Sequence, residues 1–268
     1  MSVVIALPAH GGIVMEKATL GLFNLGKLFV RNKIEHGLLT LTNSSLITQA
    51  RSKCANFFIN NTEFEYLFFL DSDIGFDPLD VVKLLDHKLP MVSGTYPMKT
   101  IPMRYCVNIK EPVERKGDLL KINGNGMGFC LIHRQVFLDV AKANPDLKFT
   151  PEKEDTDTPP TQAEIDNSYH YFAELKKGDA YVAEDKSFFA RAEAVGYDMW
   201  LDTTIALNHC GFHIYEGTAE QRTAQDIPPQ NMSDRIDKIS YDIAPKESTQ
   251  PKNWGYYMGG GSNEIRGN

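Results

Sequence analysis

The sequence predicts an α/β fold in which helices flank a mixed, mainly parallel central sheet that carries a small antiparallel extension. Strand-like and helix-like segments alternate through the first hundred residues, which is the order of a βαβ architecture. The strand-like segments are short apolar runs, and the helix-like segments repeat apolar residues every three or four positions. Crossovers between parallel strands are right-handed, so the helices are expected to cover the sheet.

The first half supplies the parallel strands in order. Residues 3–7, 38–41, 66–70 and 91–93 read as strands, and residues 15–34 and 45–58 carry amphipathic helical patterns. A third helix follows Asp77, a good N-cap residue, with Pro78 at its first position.

The pattern changes in the second half, where short strand candidates at 104–109 and 119–122 suggest the antiparallel extension. A glycine-rich segment, 123–128, then runs into a strand near 129–132. Helices are predicted at 134–143 and 184–195, and a last strand at 203–207. Residues 144–167 are rich in Pro, Asp, Glu, Lys and Thr, which predicts a long mobile loop.

Composition narrows the class of protein. The chain has 268 residues, a net charge of −7 and a pI of about 5.5, which disfavours broad binding to nucleic acid. Neither a signal peptide nor a membrane span is evident, and four scattered cysteines fit reduced thiols, so we expect a cytoplasmic protein. We expect one catalytic domain over residues 1–217, with halves 1–100 and 101–217, and a partly flexible extension over 218–268.

Two carboxylates follow the most apolar strand. Asp71 and Asp73, with Ser72 between them, stand where residues 66–70 meet solvent. Ligands of open α/β sheets bind at the carboxyl ends of strands, and hard cations such as Mg²⁺ prefer carboxylate and phosphate oxygens. The pair predicts a metal site for a diphosphate; the alternative is a polar turn before the helix at Pro78.

A second acidic pair, Glu184 and Asp185, opens a predicted helix. One of these carboxylates can act as a general base, although acidic residues are also favoured there by the helix dipole. His209 and His213 follow the last strand, and either imidazole can complete a metal site already held by a carboxylate.

The glycine-rich loop 123–128 does not follow the first strand, so it is not a dinucleotide fingerprint. It fits close approach of backbone to a sugar or acceptor, or a hairpin turn. Arg51 and Lys99 are candidates for neutralising phosphate. A stripe of basic residues could contact DNA locally, and comprises Lys99, Lys110, Arg115, Lys116 and Lys121.

Several sequence blocks together resemble the family 2-type nucleotide-sugar glycosyltransferases with the glycosyltransferase A fold, most closely the short, soluble, phage- or virus-encoded members. The blocks span about residues 1–217 and occur in the order of the family: 49–51, 67–76, 92–99, 126–132, 183–188 and 209–211. The chain departs from processive synthases of the family because it has neither a membrane span nor an evident Gln-x-x-Arg-Trp motif.

The resemblance implies a role for each matched position. Asp71 and Asp73 would bind Mn²⁺ or Mg²⁺, with His209 as a further ligand. Asp185, with Glu184 beside it, would be the base of an inverting transfer. The nucleotide-sugar, expected to be a UDP-sugar, would contact a set of residues around the first strand and the acidic turn: Pro8, Ala9, His10, Arg51, Asp71, Ser72 and Lys99. The loop 144–167 would border the acceptor.

The sequence thus predicts an enzyme that moves one sugar to a hydroxyl acceptor, either a glycan or a hydroxymethylated base in phage DNA. A retaining transfer is the nearest rival. Two alternatives of other classes stay open, a metal-dependent phosphoryl-transfer hydrolase and a non-catalytic module that binds nucleotide-sugars or glycans.

Overall fold

The computed structural model describes residues 1–100, 103–151, 159–211 and 214–218. Six helices lie within these ranges: α1 (Glu16–Arg31), α2 (Ile47–Asn61), α3 (Pro78–Asp86), α4 (Arg134–Ala143), α5 (Gln162–Asn167) and α6 (Glu184–Ala194). As expected, Asp77 caps α3 by accepting a hydrogen bond from Leu79 N, 2.9 Å away.

The strands of the first half are β1 (Ser2–Ala9), β2 (Glu35–Thr42), β3 (Tyr66–Leu70), β4 (Ile74–Gly75) and β5 (Met91–Ser93). Within the described ranges, the second half adds β6 (Asn108–Ile109), β7 (Arg115–Lys116), β8 (Leu119–Gly124), β9 (Phe129–His133), β10 (Leu175–Lys177), β11 (Ala180–Val182), β12 (Met199–Asp202), β13 (Ala206–His209) and β14 (Tyr215–Thr218).

The central sheet has the order β2-β1-β3-β9-β5-β12-β8-β6, and β7 also pairs with β8. Strands β2, β1, β3, β5 and β12 run in one direction, whereas β9 and β8 are antiparallel to their neighbours. Two small antiparallel sheets, β10-β11 and β14-β13-β4, flank it. The predicted mixed, mainly parallel architecture is therefore confirmed.

The core lies on both faces of this sheet. Side chains of β1 and β3 alternate between a cluster with α1 and α3 and a cluster with α2, α4 and α6. Phe172 and Phe188, both fully buried, stack with ring centroids 4.8 Å apart in the second cluster. Burying a side chain of that size contributes about 1.5–3 kcal/mol, so helix α6 and its acidic start are fixed firmly to the sheet.

Three sequence predictions need correction. A βαβ order suggests that β3 and β5 are neighbours, but β9 lies between them and is antiparallel to both. The strand predicted at 203–207 is β13, which begins at Ala206 and joins a small sheet, and neither β12 before it nor β14 after it was predicted. The segment 144–167 is not a loop throughout, because it contains a 3₁₀ turn, Pro145–Leu147, and helix α5.

Helix α5 owes its existence to a capping box that compensates for its polar composition. The Thr161 hydroxyl accepts from Glu164 N, and the Glu164 carboxylate accepts from Thr161 N at 2.7 Å. Residues 152–158 of the predicted loop, His213, and 219–268 of the predicted extension lie outside the described residues, so the domain boundary at 217 stays a prediction. No helix within the described ranges has the length and apolar character to cross a membrane.

Candidate active site

The acidic turn, Asp71–Asp73, lies at the carboxyl end of β3, where the sequence placed it. Its backbone is tied to three other segments. Asp71 N donates to Gly128 O at 3.0 Å, Met15 N donates to Ser72 O at 2.8 Å, and Cys210 N donates to Asp73 O at 2.8 Å. The turn is thus held between the loops that follow β1, β8 and β13.

Asp71 forms a buried ion pair with Arg51 of α2. Arg51 Nη2 donates to Asp71 Oδ2 at 3.2 Å, and Nη1 lies 3.1 Å from Oδ1 as an ion-pair contact. Arg51 Nε lies 3.7 Å from Oε1 of Glu184 at the start of α6. Arg51 is only 4% exposed, so it joins the acidic turn to the acidic helix start from within the protein.

The glycine-rich loop packs against the same carboxylate. A Cβ atom on Gly128 would overlap Oδ2 of Asp71, and one on Gly126 would overlap the hydroxyl of Tyr96. Since β8 and β9 do not pair with each other, the hairpin alternative for 123–128 is wrong. These glycines instead allow backbone to approach the acidic turn closely.

Asp73 is surrounded by cationic and imidazole groups. Lys99 Nζ lies 2.6 Å from Asp73 Oδ2, and His209 Nε2 lies 3.4 Å from the same oxygen. Burial opposes ionisation, but the hydrogen bonds from His209 and Lys99 outweigh it and lower the pKa of Asp73. The carboxylate therefore stays ionised at neutral pH and can bind a cation.

The orientation of His209 suits a metal ligand. Its Nδ1 lies 2.8 Å from the carbonyl oxygen of Pro97, so in the neutral ring Nδ1 carries the proton and donates it. Without a cation, a hydrogen bond from Nε2 to Asp73 requires a proton on Nε2 as well; a cation bound at Asp73 would replace that proton and take Nε2 as a ligand. A backbone carbonyl behind the ring is a usual partner of a metal-bound histidine. The ring also packs edge-on against Tyr96, 5.0 Å between centroids.

The fit to a divalent cation involves two protein side chains. Asp73 and His209 present a carboxylate oxygen and an imidazole nitrogen at one point, whereas both oxygens of Asp71 face Arg51. Within the part of the chain that the structure describes, no cluster of three or more His, Cys, Asp or Glu side chains is placed to hold a metal ion. Mg²⁺ commonly uses one or two carboxylates together with substrate phosphates and water, so Asp73 and His209 fit a cation shared with a diphosphate. Asp71 as a direct ligand remains a prediction.

The two acidic residues that begin α6 have different surroundings. Glu184 faces Arg51, as described above, while Asp185 is half-buried beside it. Burial, and then the negative charge of Glu184, raise the pKa of Asp185. A general base works best when its pKa lies near the pH of the reaction, and a raised pKa brings a carboxylate closer to that condition. Asp185 is therefore the better candidate of the pair.

The remaining residues that the sequence predicts to bind the nucleotide-sugar lie at the same carboxyl end of the sheet. Ala6 of β1 is level with Phe69 of β3, which places Pro8 and Ala9 beside the acidic turn. His10 follows them and its Nδ1 is 3.1 Å from Ser44 O, in the loop after β2. Pro8, Ala9 and Ser72 thus lie at or beside the acidic turn. The hydrogen bond of His10 instead joins it to the loop after β2.

Tyr96 and Asn125 are site residues to which the sequence gave no role. The buried Tyr96 hydroxyl accepts a hydrogen bond from Gly128 N at 3.1 Å. Asn125 Nδ2 donates to Ser93 Oγ and to Gly94 O, at 3.0 Å and 2.7 Å. Both residues fix the glycine-rich loop against the end of β5, and their only sequence signal is a polar group beside a predicted strand end.

A cavity of about 500 Å³ is lined by β2 and α2. Its walls include Leu39 and Leu41 of β2, Phe57 of α2 and Phe149, and it adjoins Pro151 and Pro159. Within the predicted acceptor border, 144–167, the described residues Phe149, Pro151 and Pro159 therefore face β2 and α2 across this cavity. Neither Glu184 nor Asp185 lines it.

Comparison with known proteins leaves the identity open. No family model matches the chain, and no curated protein matches its sequence. Solved structures that resemble it include A197 from STIV, with 19% identity, a TM-score of 0.48, and coverage of 82% of this chain and 91% of A197. HddC from Yersinia pseudotuberculosis shares 9% identity at a TM-score of 0.30, with coverage of 50% and 77%. These similarities are too low to assign a function.

Proposed function

We propose that the chain is a metal-dependent glycosyltransferase that moves one sugar from a nucleotide-sugar, most simply a UDP-sugar, to a hydroxyl acceptor with inversion. The observation that carries the proposal is the arrangement around the acidic turn. Asp73 meets His209 and Lys99, Asp71 meets Arg51, and Arg51 reaches Glu184 beside Asp185. These groups come from distant segments and meet at the sheet edge where α/β folds bind ligands.

The donor diphosphate is proposed to lie over Asp73. Asp73 and His209 would hold Mn²⁺ or Mg²⁺, and when bound this cation would stabilise negative charge on the departing nucleoside diphosphate. Lys99 is half-exposed beside the same carboxylate, so its ammonium group can turn to a phosphate oxygen. Pro8, Ala9 and His10 would border the nucleoside, because they lie at the same edge of the sheet.

Asp185 is proposed to accept the proton of the acceptor hydroxyl. The hydroxyl oxygen then attacks the anomeric carbon on the face opposite the diphosphate, forming one C–O bond as the other breaks. The electron pair of the broken bond, between the anomeric carbon and the diphosphate oxygen, leaves with the diphosphate. This geometry inverts the anomeric configuration. Glu184 is held by Arg51, so it orients the start of α6 rather than taking the proton.

The acceptor is proposed to be a glycan rather than modified DNA. Of the predicted basic stripe, Lys99 faces Asp73, Lys110 pairs with Glu193, and Lys116 and Lys121 pair with Glu114. Lys121 also lies 2.7 Å from Asp198. Lysines neutralised in this way attract phosphate backbone weakly.

The first experiment is thermal unfolding with a panel of nucleotides and nucleotide-sugars, with and without Mn²⁺. Ligands that bind only the folded protein raise its Tm. We expect a Mn²⁺-dependent rise with one nucleoside diphosphate and its sugar conjugate, followed by transfer to a saccharide with an inverted product.

Asp73→Ala tests the cation site in the same assay. The substitution should abolish the Mn²⁺-dependent rise. It also removes the partly exposed ion pair with Lys99, and pairs of that kind are worth at most about 1 kcal/mol, so the ligand-free Tm should fall only slightly. Asp86→Ala, at the exposed end of α3, is the matched control and should retain the rise. If Asp73→Ala binds the donor as tightly as wild type in Mn²⁺, the cation assignment is wrong. Phosphodiester hydrolysis that ignores nucleotide-sugars would instead support a phosphoryl-transfer hydrolase.

A further inference from the structure

Strand β2 forms one end of the central sheet, and no second strand among the described residues pairs with its outer edge. All eight of its residues pair in continuous parallel register with β1, from Ser2 opposite Glu35 to Ala9 opposite Thr42. Among the described residues, β1 is the strand with which β2 pairs. Its other edge therefore presents N–H and C=O groups that a further strand can bind.

The features that usually protect such an edge are missing from β2. Its sequence, EHGLLTLT, contains neither proline nor lysine, its formally charged residue is Glu35 at one end, and its ladder has no bulge. Short strands, inward charges and bulges are the devices that keep edges from pairing. An eight-residue edge without them is suited to pair with another strand.

Exposed apolar side chains adjoin this edge on one face of the sheet. Leu38 is 56% exposed and lies opposite Ile5, whose side chain packs in the cluster beneath α1. On α1, the flank that carries Lys17 and Gly21 meets Gly75 and Phe76 next to α3. At 100° per residue, Phe23 and Val30 lie about half a turn from Gly21, on the side of α1 away from α3, and are 65% and 71% exposed. We call Phe23, Val30 and Leu38 the edge patch.

We infer that two copies of this chain associate through antiparallel pairing of their β2 edges, about a two-fold axis that passes through Leu38. In this register Leu38 faces the partner's Leu38, and His36 faces the partner's Thr40. Glu35 faces the partner's Leu41, so like charges do not meet. Residues directly opposite each other share a face of the sheet, so the two edge patches lie side by side.

A second copy is the occupant that this edge fits best because the pairing is self-complementary. A two-fold interface uses the same surface on both partners, and here one surface supplies the open ladder, an apolar centre and uncharged neighbours. The two sheets become one, with the α1 layers on the same side. The acidic turn lies on β3, two strands away from the edge, so this inference does not depend on the proposed activity.

The first test is the mass of the full chain by sedimentation equilibrium. Wild type is expected at twice the 30.1 kDa of one chain. Leu38→Lys should return it to the single-chain mass with an unchanged circular dichroism spectrum, because two ammonium groups would face each other on the axis. The control is Leu20→Lys, at a position of α1 that is 53% exposed and outside the edge patch, which should remain a dimer. A wild-type chain that stays single at its highest soluble concentration, or a Leu38→Lys variant that stays dimeric, overturns the inference.

The second test fixes the register by oxidative cross-linking in a Cys106→Ser background, since the other cysteines are buried. Directly opposite residues of antiparallel strands have Cα atoms about 4.5–5.5 Å apart, which suits a disulfide. Leu38→Cys should therefore form a cross-linked dimer. Glu35→Cys should not, because six residues of offset separate the two cysteines by roughly 20 Å. Equal cross-linking at both positions, or none at Leu38→Cys, contradicts the register.

Discussion

Lys99 Nζ lies 2.6 Å from Asp73 Oδ2, the carboxylate that we propose as a ligand of the divalent cation. The imidazole of His209 faces the same oxygen at 3.4 Å. An ammonium group in this place neutralises Asp73 before a donor arrives and competes with a cation for it. The diphosphate of the donor offers Lys99 another anion, so cation and donor are expected to bind together rather than singly.

Lys99→Met should therefore strengthen Mn²⁺ binding by the free protein. The ion pair is half-exposed, and pairs of that kind are worth at most about 1 kcal/mol, which corresponds to roughly fivefold in affinity. Electron paramagnetic resonance of free and bound Mn²⁺ measures this directly. The same variant should bind the nucleoside diphosphate more weakly, since it lacks a cation for the phosphates.

Lys110→Met is the matched control, because Lys110 pairs with Glu193 and should leave Mn²⁺ binding unchanged. Equal Mn²⁺ affinity in Lys99→Met and wild type would show that Lys99 does not compete with the cation.

The Arg51–Asp71 pair should contribute to stability as well as to the site. Removing one partner of a buried pair leaves an uncompensated charge, which costs about 3–5 kcal/mol. Arg51 is almost fully buried, so Arg51→Met should lower the free energy of unfolding toward that range. Urea denaturation followed by circular dichroism measures the change.

The double variant Arg51→Met/Asp71→Asn separates charge from packing. It should recover part of the lost stability, because Asp71 no longer carries an unpaired charge, although Glu184 still lacks Arg51. A double variant that is as unstable as the sum of the two single variants would show that the two side chains are not coupled.

Local sequence patterns predict local structure well in this chain. The strand Tyr66–Leu70 and the helix Arg134–Ala143 have the bounds that the sequence predicts, because each is a strongly apolar or periodic segment bounded by polar residues. The position of Asp71 and Asp73 at a strand end follows from the same pattern. The bounds of these elements and the position of the two aspartates are both set by residues that are close in sequence.

Relationships between distant segments escape the sequence pattern. The insertion of β9 between β3 and β5 is decided by pairing of whole strands, which a single apolar run does not encode. The Arg51–Glu184 contact likewise joins α2 to α6, and each residue alone resembles an ordinary charge on a helix. Helix α5 escaped prediction because its polar composition outweighed the capping box that stabilises it.

Binding to duplex DNA should be weak and should lack a strong dependence on salt. A protein that neutralises several phosphates loses affinity steeply as salt rises, but Lys110, Lys116 and Lys121 already face carboxylates. Fluorescence anisotropy with duplexes containing hydroxymethylated bases, between about 50 and 200 mM salt, measures this. Tight binding with a steep salt slope would restore modified DNA as the acceptor.

Asp185→Asn should reduce transfer without reducing donor binding. The carboxylate is proposed to accept one proton from the acceptor, a contribution typically of about 10²- to 10⁴-fold, and an amide of the same shape cannot accept it. Donor binding, read as the Mn²⁺-dependent rise in Tm, should stay at the wild-type level. Burial and Glu184 raise the pKa of Asp185, so the acidic limb of kcat/KM in wild type should lie above the ordinary aspartate value of about 3.9. Activity is then lost as pH falls through that raised pKa, and the limb should disappear from the residual activity of Asp185→Asn.

Glu184→Gln is the companion variant, because it keeps Asp185 but removes the negative charge beside it. Its acidic limb should move toward lower pH, and a limb that stays in place would assign the proton transfer to another group.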